Sequence, residues 1–215
     1  MRREMQEIIP GLFLGPFAAA LPKNVSTYAW DLIDLIDCGL IFDYLLFLSF
    51  LNLDRKVENL KAKNISEIVC VRSVISTGET NEGFFIKPRM PNQFNYLTLN
   101  ISDSVTENII PFFDQFYDWV SDRLSRNLSV LVHGNTGMSR SAALVISFVM
   151  RHFDYTSEEA ISFVQRKRFC LFLNDGFKAQ LREYEPIWKA NQRKSEEHAS
   201  EHETSLKRSF SQTAL

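Results

Sequence analysis

Residues 128–150 read LSVLVHGNTGMSRSAALVISFVM, and this stretch decides the fold. Its β-branched start predicts a central strand from Leu128 to Val132. A short polar loop with two glycines, Gly134 and Gly137, follows the strand, and the apolar run from Ala142 to Met150 predicts a buried helix. A strand, a glycine-bearing loop and a helix N-terminus together form an anion site, because backbone N–H groups and the positive end of the helix dipole converge there. The pattern therefore predicts phosphate recognition.

Arg140 stands at the start of the predicted helix, where its positive charge is unfavourable against the helix dipole. A bound anion would offset that cost, and the planar guanidinium suits two oxygens of one phosphate. We name residues 134–140 the cradle loop. Its predicted phosphate-binding residues are Gly134, Asn135, Thr136, Gly137, Met138, Ser139 and Arg140.

The cradle loop resembles the signature of cysteine-dependent protein phosphatases, in which His and Cys are followed by five residues, Arg, and Ser or Thr. His133, Gly137, Arg140 and Ser141 fall in register with that signature, and Gly134 occupies the cysteine position. Glycine has no side chain that could attack phosphorus. The resemblance thus implies a phosphate binder without a nucleophile, with no catalytic residue, metal or cofactor.

The resemblance extends to other segments, and on them the chain is identified as a member of the dual-specificity phosphatase family, similar to its pseudophosphatases with glycine at the cysteine position. It covers Met1 to Phe17 and Val57 to Ala190. It rests on the segments RREMQEI (2–8), PGLFLGP (10–16), FIKP (85–88), FVQR (163–166) and RFC (168–170). The implied fold is α/β and tyrosine phosphatase-like, with a central mostly parallel sheet and helices on both faces.

Four further residues acquire expected roles from the resemblance. Asp103 aligns with the family's general acid, although an Asp that stabilises its loop or caps a helix explains the residue equally well. His133 matches a histidine that helps to hold the thiol, and without a thiol we expect it to bond the backbone. Ser141 is expected to cap or steady the loop, and Asn174 to brace it from behind.

Composition supports one globular domain with a substantial core, since 45% of the 215 residues are hydrophobic. A net charge of −2 predicts no attraction to nucleic acid. Cys38, Cys70 and Cys170 show no C-x-x-C spacing, which argues against a zinc site or a disulfide framework. Cys170, among apolar neighbours, is predicted to be a buried, inert thiol. No signal peptide is evident, so we expect a cytoplasmic or nuclear protein.

Alternation of strands and helices supports the α/β class independently. The other predicted strands are Ile65–Val71, Tyr96–Ile101 and Ile8–Gly15, the last of which is broken by Pro10-Gly11. The other predicted helices are Val57–Lys63, Ile109–Leu124, Phe177–Lys189 and a helix that runs from the capping box at Thr156 to Lys167. We expect a phosphatase-like domain over residues 1–190 and a disordered tail over 191–215.

Residues 18–53 look like an insertion relative to the family. A membrane span is disfavoured, because Asp34, Asp37 and Asp43 interrupt the apolar run, and Tyr44 to Leu51 is far shorter than the roughly 20 residues that a span needs. A packed or partner-binding helix pair fits better, and a translated non-coding segment stays open.

The function expected from the sequence is the binding of phosphorylated Ser, Thr or Tyr partners, which shields or anchors them. The resemblance points to mitogen-activated protein (MAP) kinases or related signalling proteins. Two alternatives are a scaffold that binds partners away from the cradle loop, and a weak phosphatase that uses Asp103 and an activated water.

Overall fold

The computed structural model describes residues 4–16, 57–58, 60–73, 88 and 90–212, with side chains described as far as Arg193. Within these ranges, five strands form one sheet. They are β1 (Gln6–Ile9), β2 (Leu12–Pro16), β3 (Ile65–Arg72), β4 (Asn95–Asn100) and β5 (Ser129–Gly134), in the order β1-β2-β5-β3-β4. Only the β1–β2 pair is antiparallel, so the predicted mostly parallel α/β sheet is confirmed.

The first strand differs from its prediction. The segment Ile8–Gly15 was expected to be one broken edge strand, and it is a hairpin of β1 and β2. The break at Pro10-Gly11 is a turn, in which Gly11 takes a φ of +79° that glycine adopts without strain. The hairpin moves β2 away from the edge, and β2 pairs with β5 in parallel.

Alternating side chains of the strands reach two apolar layers, as the period of a strand requires. On β5, Val130 and Val132 join the larger cluster with the helices, whereas Leu131 joins a smaller cluster. That smaller cluster includes Leu60, which is helical, as are residues 57, 58, 61 and 62. Both faces of β5 are thus buried, which explains its continuous apolar run.

Four longer helices follow the predicted pattern, and their bounds are α1 (Ile110–Ser125), α2 (Arg140–Phe153), α3 (Ser157–Lys167) and α4 (Asp175–Gln212). The apolar stripe of α1 buries Phe113, Phe116 and Val120. The capping box predicted at Thr156 is confirmed, because the Thr156 hydroxyl accepts from the Glu159 N–H while the Glu159 carboxylate accepts from the Thr156 N–H.

The last helix is longer than the sequence predicts. Its expected end is Lys189, and α4 continues to Gln212. The sequence after residue 190 has few apolar residues, but its Glu, Lys and Arg residues favour helices even where no core is available. Low hydrophobicity was therefore a poor guide to backbone conformation here.

The predicted insertion at 18–53 lies outside the described residues, as does Cys38. Across the part of the chain that the structure describes, no helix combines the length and apolar character needed to cross a bilayer.

Candidate anion-binding site

The cradle loop lies at the carboxyl edge of the sheet, where ligands of open α/β sheets bind. It leaves β5 at Gly134 and ends where α2 begins. The end of β2 runs alongside, with Gly15 opposite His133 and Pro16 opposite Gly134. The positive N-terminus of α2 therefore faces this edge, as the sequence predicts.

Gly137 gives the loop its tight approach to β2. Its φ is +68°, and a Cβ at this position would lie 2.3 Å from the Gly15 carbonyl oxygen. A side chain is thus excluded twice, by backbone conformation and by contact with rigid backbone.

Three successive carbonyls of the loop are bonded from behind. Arg168 donates from Nη2 to the Thr136 carbonyl (3.0 Å) and from Nε to the Gly137 carbonyl (2.9 Å), and the Phe172 N–H donates to the Met138 carbonyl (2.9 Å). In a trans peptide the C=O and the following N–H point in opposite directions. The N–H groups of residues 137–139 therefore point away from the donors of Arg168 and Phe172, which is the orientation that a donor cup for an oxyanion would need.

Arg168 is the functional residue that sequence reasoning missed. Its side chain is buried, and its Nη1 also donates to the Glu4 carbonyl and to Gln6 Oε1. All these acceptors are neutral, and burial lowers the pKa of the guanidinium. A buried cation without a carboxylate partner among the described residues carries a desolvation cost that a nearby anion would reduce. The sequence offered only a basic run at 166–168, which looks the same whether it is buried or solvated.

Gly134 faces a buried hydroxyl. A Cβ added to Gly134 would lie 3.2 Å from Ser141 Oγ and 3.7 Å from the Val71 carbonyl oxygen. Ser141 Oγ is buried and has no hydrogen-bond partner among the described residues, so the expected capping bond is not formed. An unsatisfied buried hydroxyl costs about 1–3 kcal/mol. The hydroxyl thus borders the space that the side chain of a residue other than glycine would enter.

Arg140 is held by the ends of two neighbouring strands. Its Nη1 donates to Ser73 Oγ (2.7 Å), just after β3, and to the Ile101 carbonyl (3.2 Å), just after β4. Its Nε lies 3.6 Å from Asp103 Oδ2, and its side chain is only 12% exposed. The guanidinium is fixed at the mouth of the loop, but the predicted fork faces a carboxylate of the protein itself.

Asp103 joins the loop after β4 to the cradle loop. Its Oδ1 accepts from Ser139 Oγ (2.6 Å) and from Asn174 Nδ2 (3.1 Å). Asn174 was expected to brace the cradle loop directly, yet it does so through Asp103, and its Oδ1 accepts from the Phe177 N–H at the start of α4. This arrangement favours the loop-stabilising interpretation of Asp103.

His133 is buried at the end of β5. Burial lowers the pKa of its imidazole to about 4, although a hydrogen bond with the Gly134 backbone raises it in part. The ring is therefore neutral at physiological pH, and its expected role in bonding the backbone stays a prediction.

The other predicted residues divide by exposure. Asn135 and Thr136 are exposed, and Met138 is half-buried, so backbone groups dominate the surface of the cup. Cys170 was predicted to be buried and is only half-buried, since its segment follows the surface near the loop. The described residues hold no cluster of His, Cys, Asp and Glu suited to a metal.

Comparison with known proteins places this arrangement in a family. The family model described as the catalytic domain of dual specificity phosphatases matches residues 51–187. The chain belongs to the dual specificity phosphatase family. The resemblance noted in the sequence is thereby confirmed, and so is the fold that it implies.

Several similar relatives within this family are named serine/threonine/tyrosine-interacting proteins. "Serine/threonine/tyrosine-interacting protein A" of Xenopus laevis is 39% identical over 190 residues, which cover 88% of this chain and 68% of that protein. The human serine/threonine/tyrosine-interacting protein is 38% identical over the same shares. Its crystal structure, described as tyrosine phosphatase-like, matches with a TM-score of 0.67 at 37% identity, over 87% of this chain and 99% of that one. The crystal structure of a variant of human DUSP28, 21% identical with a TM-score of 0.59 over 87% of this chain and 98% of that one, supports the fold.

Proposed function

We propose that this chain is a catalytically inactive member of the dual specificity phosphatase family, which binds phosphorylated Ser, Thr or Tyr residues of partner proteins. By binding the phosphate group, the chain shields the phosphorylated residue from active phosphatases or anchors the partner protein. Its similarity to serine/threonine/tyrosine-interacting proteins supports the interaction role. MAP kinases and related signalling proteins are the partners we propose, in the cytoplasm or nucleus.

The observation that carries this proposal is the bonding of three successive loop carbonyls by the 168–172 segment. The resulting N–H cup is made of backbone, and Arg140 and the buried Arg168 add positive charge. None of these groups depends on a side chain at residue 134. An oxyanion could thus be held although residue 134 offers no thiol to attack it.

Inactivity follows from the chemistry of Gly134. The register of the resemblance supports residue 134 as the position of the family's nucleophile, and glycine cannot form a covalent phosphoryl intermediate. The alternative of a weak phosphatase would need a base or metal to activate water, and the described residues near Asp103 offer no metal cluster. The carboxylate of Asp103 is instead bonded to Ser139 and Asn174.

The test compares wild type with Arg140→Met and with Arg126→Met, an exposed arginine at the far end of α1, as a matched control. Titration calorimetry with inorganic phosphate and with phosphoserine and phosphotyrosine peptides should show binding by wild type and the control. Arg140→Met should lose at least tenfold in affinity, because a charge-assisted bond is worth about 1.5–3 kcal/mol. Thermal unfolding of each variant verifies folding.

Two results would overturn the proposal. The first is hydrolysis of an aryl phosphate by wild type that Arg140→Met loses, because it would show an active phosphatase at the cradle loop. The second is capture of phosphorylated partners from a lysate that neither Arg140→Met nor phosphatase pretreatment reduces, which would establish the alternative of a scaffold acting away from the cradle loop.

A further inference from the structure

Exposed apolar side chains concentrate at the mouth of the cradle loop. Among the described residues, the large apolar side chains with notable exposure are Val105, Phe153, Phe169, Phe172 and Ile187. Three of them, Val105 (60% exposed), Phe169 (71%) and Phe172 (75%), belong to the two segments that flank the loop. We name these three residues the apolar rim.

The two segments of the rim are tied to the site by backbone contacts. The Phe172 N–H donates to the Met138 carbonyl, so this residue adjoins the cradle loop itself. On the other side, a Cβ at Gly176 would lie 2.1 Å from the Val105 carbonyl oxygen, which shows how closely the chain at Val105 passes the start of α4. Asn174 bonds to Asp103, two residues before Val105, and this bond closes the arrangement.

Binding a free phosphate gives no reason for this exposure. Single exposed apolar residues are ordinary, but grouped ones at a binding site indicate a surface that a ligand covers. A phosphate held by the cradle loop would bring the partner segment close to the rim, since both segments of the rim adjoin that loop or its partner Asp103.

We propose that the apolar rim binds apolar side chains that neighbour the phosphorylated residue in a partner segment. This inference rests on the proposed function, and it specifies the ligand as a phosphopeptide with large apolar flanks. Phenylalanine rings offer wide, rigid contact area with few rotatable bonds to order, which suits recognition of such side chains.

A phosphorylated lipid in a bilayer would also combine a phosphate with an apolar phase, but the paired charges near the rim give it little attraction. Asp175, at the start of α4, pairs with Lys178, and Asp103 lies 3.6 Å from Arg140 Nε. An anionic leaflet attracts clusters of unpaired basic residues, and these pairs offer it none. The net charge of −2 adds no attraction. A peptide with apolar flanks fits this surface better.

The test uses pairs of synthetic peptides, with phosphotyrosine or phosphoserine placed between two phenylalanines or between two serines, and inorganic phosphate as a flank-free probe. The proteins are wild type, Phe172→Ser and Val105→Ser. Ile187→Ser is the control, because Ile187 is an exposed apolar residue about 18 Å along α4 from Asp175. Anisotropy gives the affinities, and unfolding temperatures verify that each variant is folded.

Wild type should bind the phenylalanine-flanked peptides about tenfold more tightly than the serine-flanked ones, as expected for partial burial of an aromatic side chain. Phe172→Ser and Val105→Ser should each lose most of that preference, whereas the affinity of Val105→Ser for inorganic phosphate and that of Ile187→Ser for every probe should stay unchanged. Equal affinity of wild type for both flanks, with phosphate still bound, would overturn the inference and leave the proposed function standing. If no phosphorylated probe binds, both fail. The inference would also be overturned if wild type bound vesicles with 5% phosphatidylinositol phosphate but no peptide, and if Phe172→Ser lost the vesicle binding. The ligand would then be a lipid.

Discussion

Restoring a thiol at Gly134 tests whether the cradle loop keeps the geometry of an active relative. Gly134 lies outside the left-handed region, so Gly134→Cys introduces no backbone strain. The new Cβ would lie 3.2 Å from Ser141 Oγ, which must yield by a few tenths of an ångström. This hydroxyl has no described partner to hold it in place, so we expect a cost of about 1 kcal/mol, at the low end of overpacking. For a chain of this size the melting temperature should fall by about 2–4 °C.

The variant should also gain chemistry. A thiolate at residue 134 would stand beside the hydroxyl of Ser141, at the mouth of the N–H cup, and Gly134→Cys should hydrolyse an aryl phosphate with a burst of phenol at each active site. The thiolate would also repel a bound phosphate, because two unit charges about 4 Å apart at an effective dielectric of about 20 repel by about 4 kcal/mol. Even if Arg140 compensates part of it, this repulsion should lower the affinity for inorganic phosphate at least tenfold once the thiol ionises.

Gly134→Ala is the matched control, since it adds the same Cβ without sulfur. It should show the same small fall in melting temperature, no turnover, and phosphate affinity close to wild type. The reasoning would be refuted if Gly134→Cys folded with the expected stability and bound phosphate, yet released no more phenol than Gly134→Ala. The donors of the cup would then not be aimed at a reacting phosphoryl group.

Three further variants test separate parts of the site. Gly137→Ala should lower the free energy of unfolding by at least about 1–3 kcal/mol and abolish phosphate binding, because the new Cβ would lie 2.3 Å from the Gly15 carbonyl oxygen. Urea unfolding measures the stability and calorimetry the binding; a variant with wild-type affinity for phosphate would contradict the assigned loop geometry. Asp103→Asn should tighten phosphate binding several-fold, since it removes a negative charge near Arg140 while its Oδ1 still accepts from its neighbours; weaker binding would show that the carboxylate orients the guanidinium. The pKa of His133 is about 4 in the folded protein, against an ordinary value of 6.5, so between these pH values the unfolded chain binds one more proton than the folded one. The contribution of His133 to the free energy of unfolding should therefore fall by about 3 kcal/mol as the pH drops from 6.5 to 4, and it should stay level above pH 6.5. In urea unfolding at several pH values, His133→Gln should lack that part of the acid loss; an unchanged difference between the two proteins across this range would count against a buried neutral ring.

The fold was largely predictable because its signals are local. Dense β-branched residues identified β3 and β5, the capping box identified the start of α3, and spacing of aromatic residues identified α1. The loop between β5 and α2 was likewise evident from its glycines. Where local signals conflict with one another, prediction failed, as in the hairpin at Pro10-Gly11 and the helix that continues to Gln212.

The partners of the site residues could not be predicted, since they come from remote parts of the chain. Asp103 meets Ser139 across 36 positions, and Arg168 reaches the Glu4 carbonyl across 164. No periodicity in a sequence encodes which carbonyl a guanidinium will find. The resemblance to a family supplied the register of the site, but the bond from Asn174 to Asp103, rather than to the cradle loop, needed the structure.

The buried Arg168 links these two kinds of information. Its guanidinium turns the carbonyls of Thr136 and Gly137 away from the mouth, and that orientation aims the following N–H groups at an anion. The same group places a positive charge beneath the loop, where water cannot fully screen it. Arg168 therefore contributes to the shape and to the charge of the cup, and neither contribution involves residue 134. Because this support does not depend on residue 134, the affinity for phosphate should not need a nucleophile there, which is why we propose binding without hydrolysis.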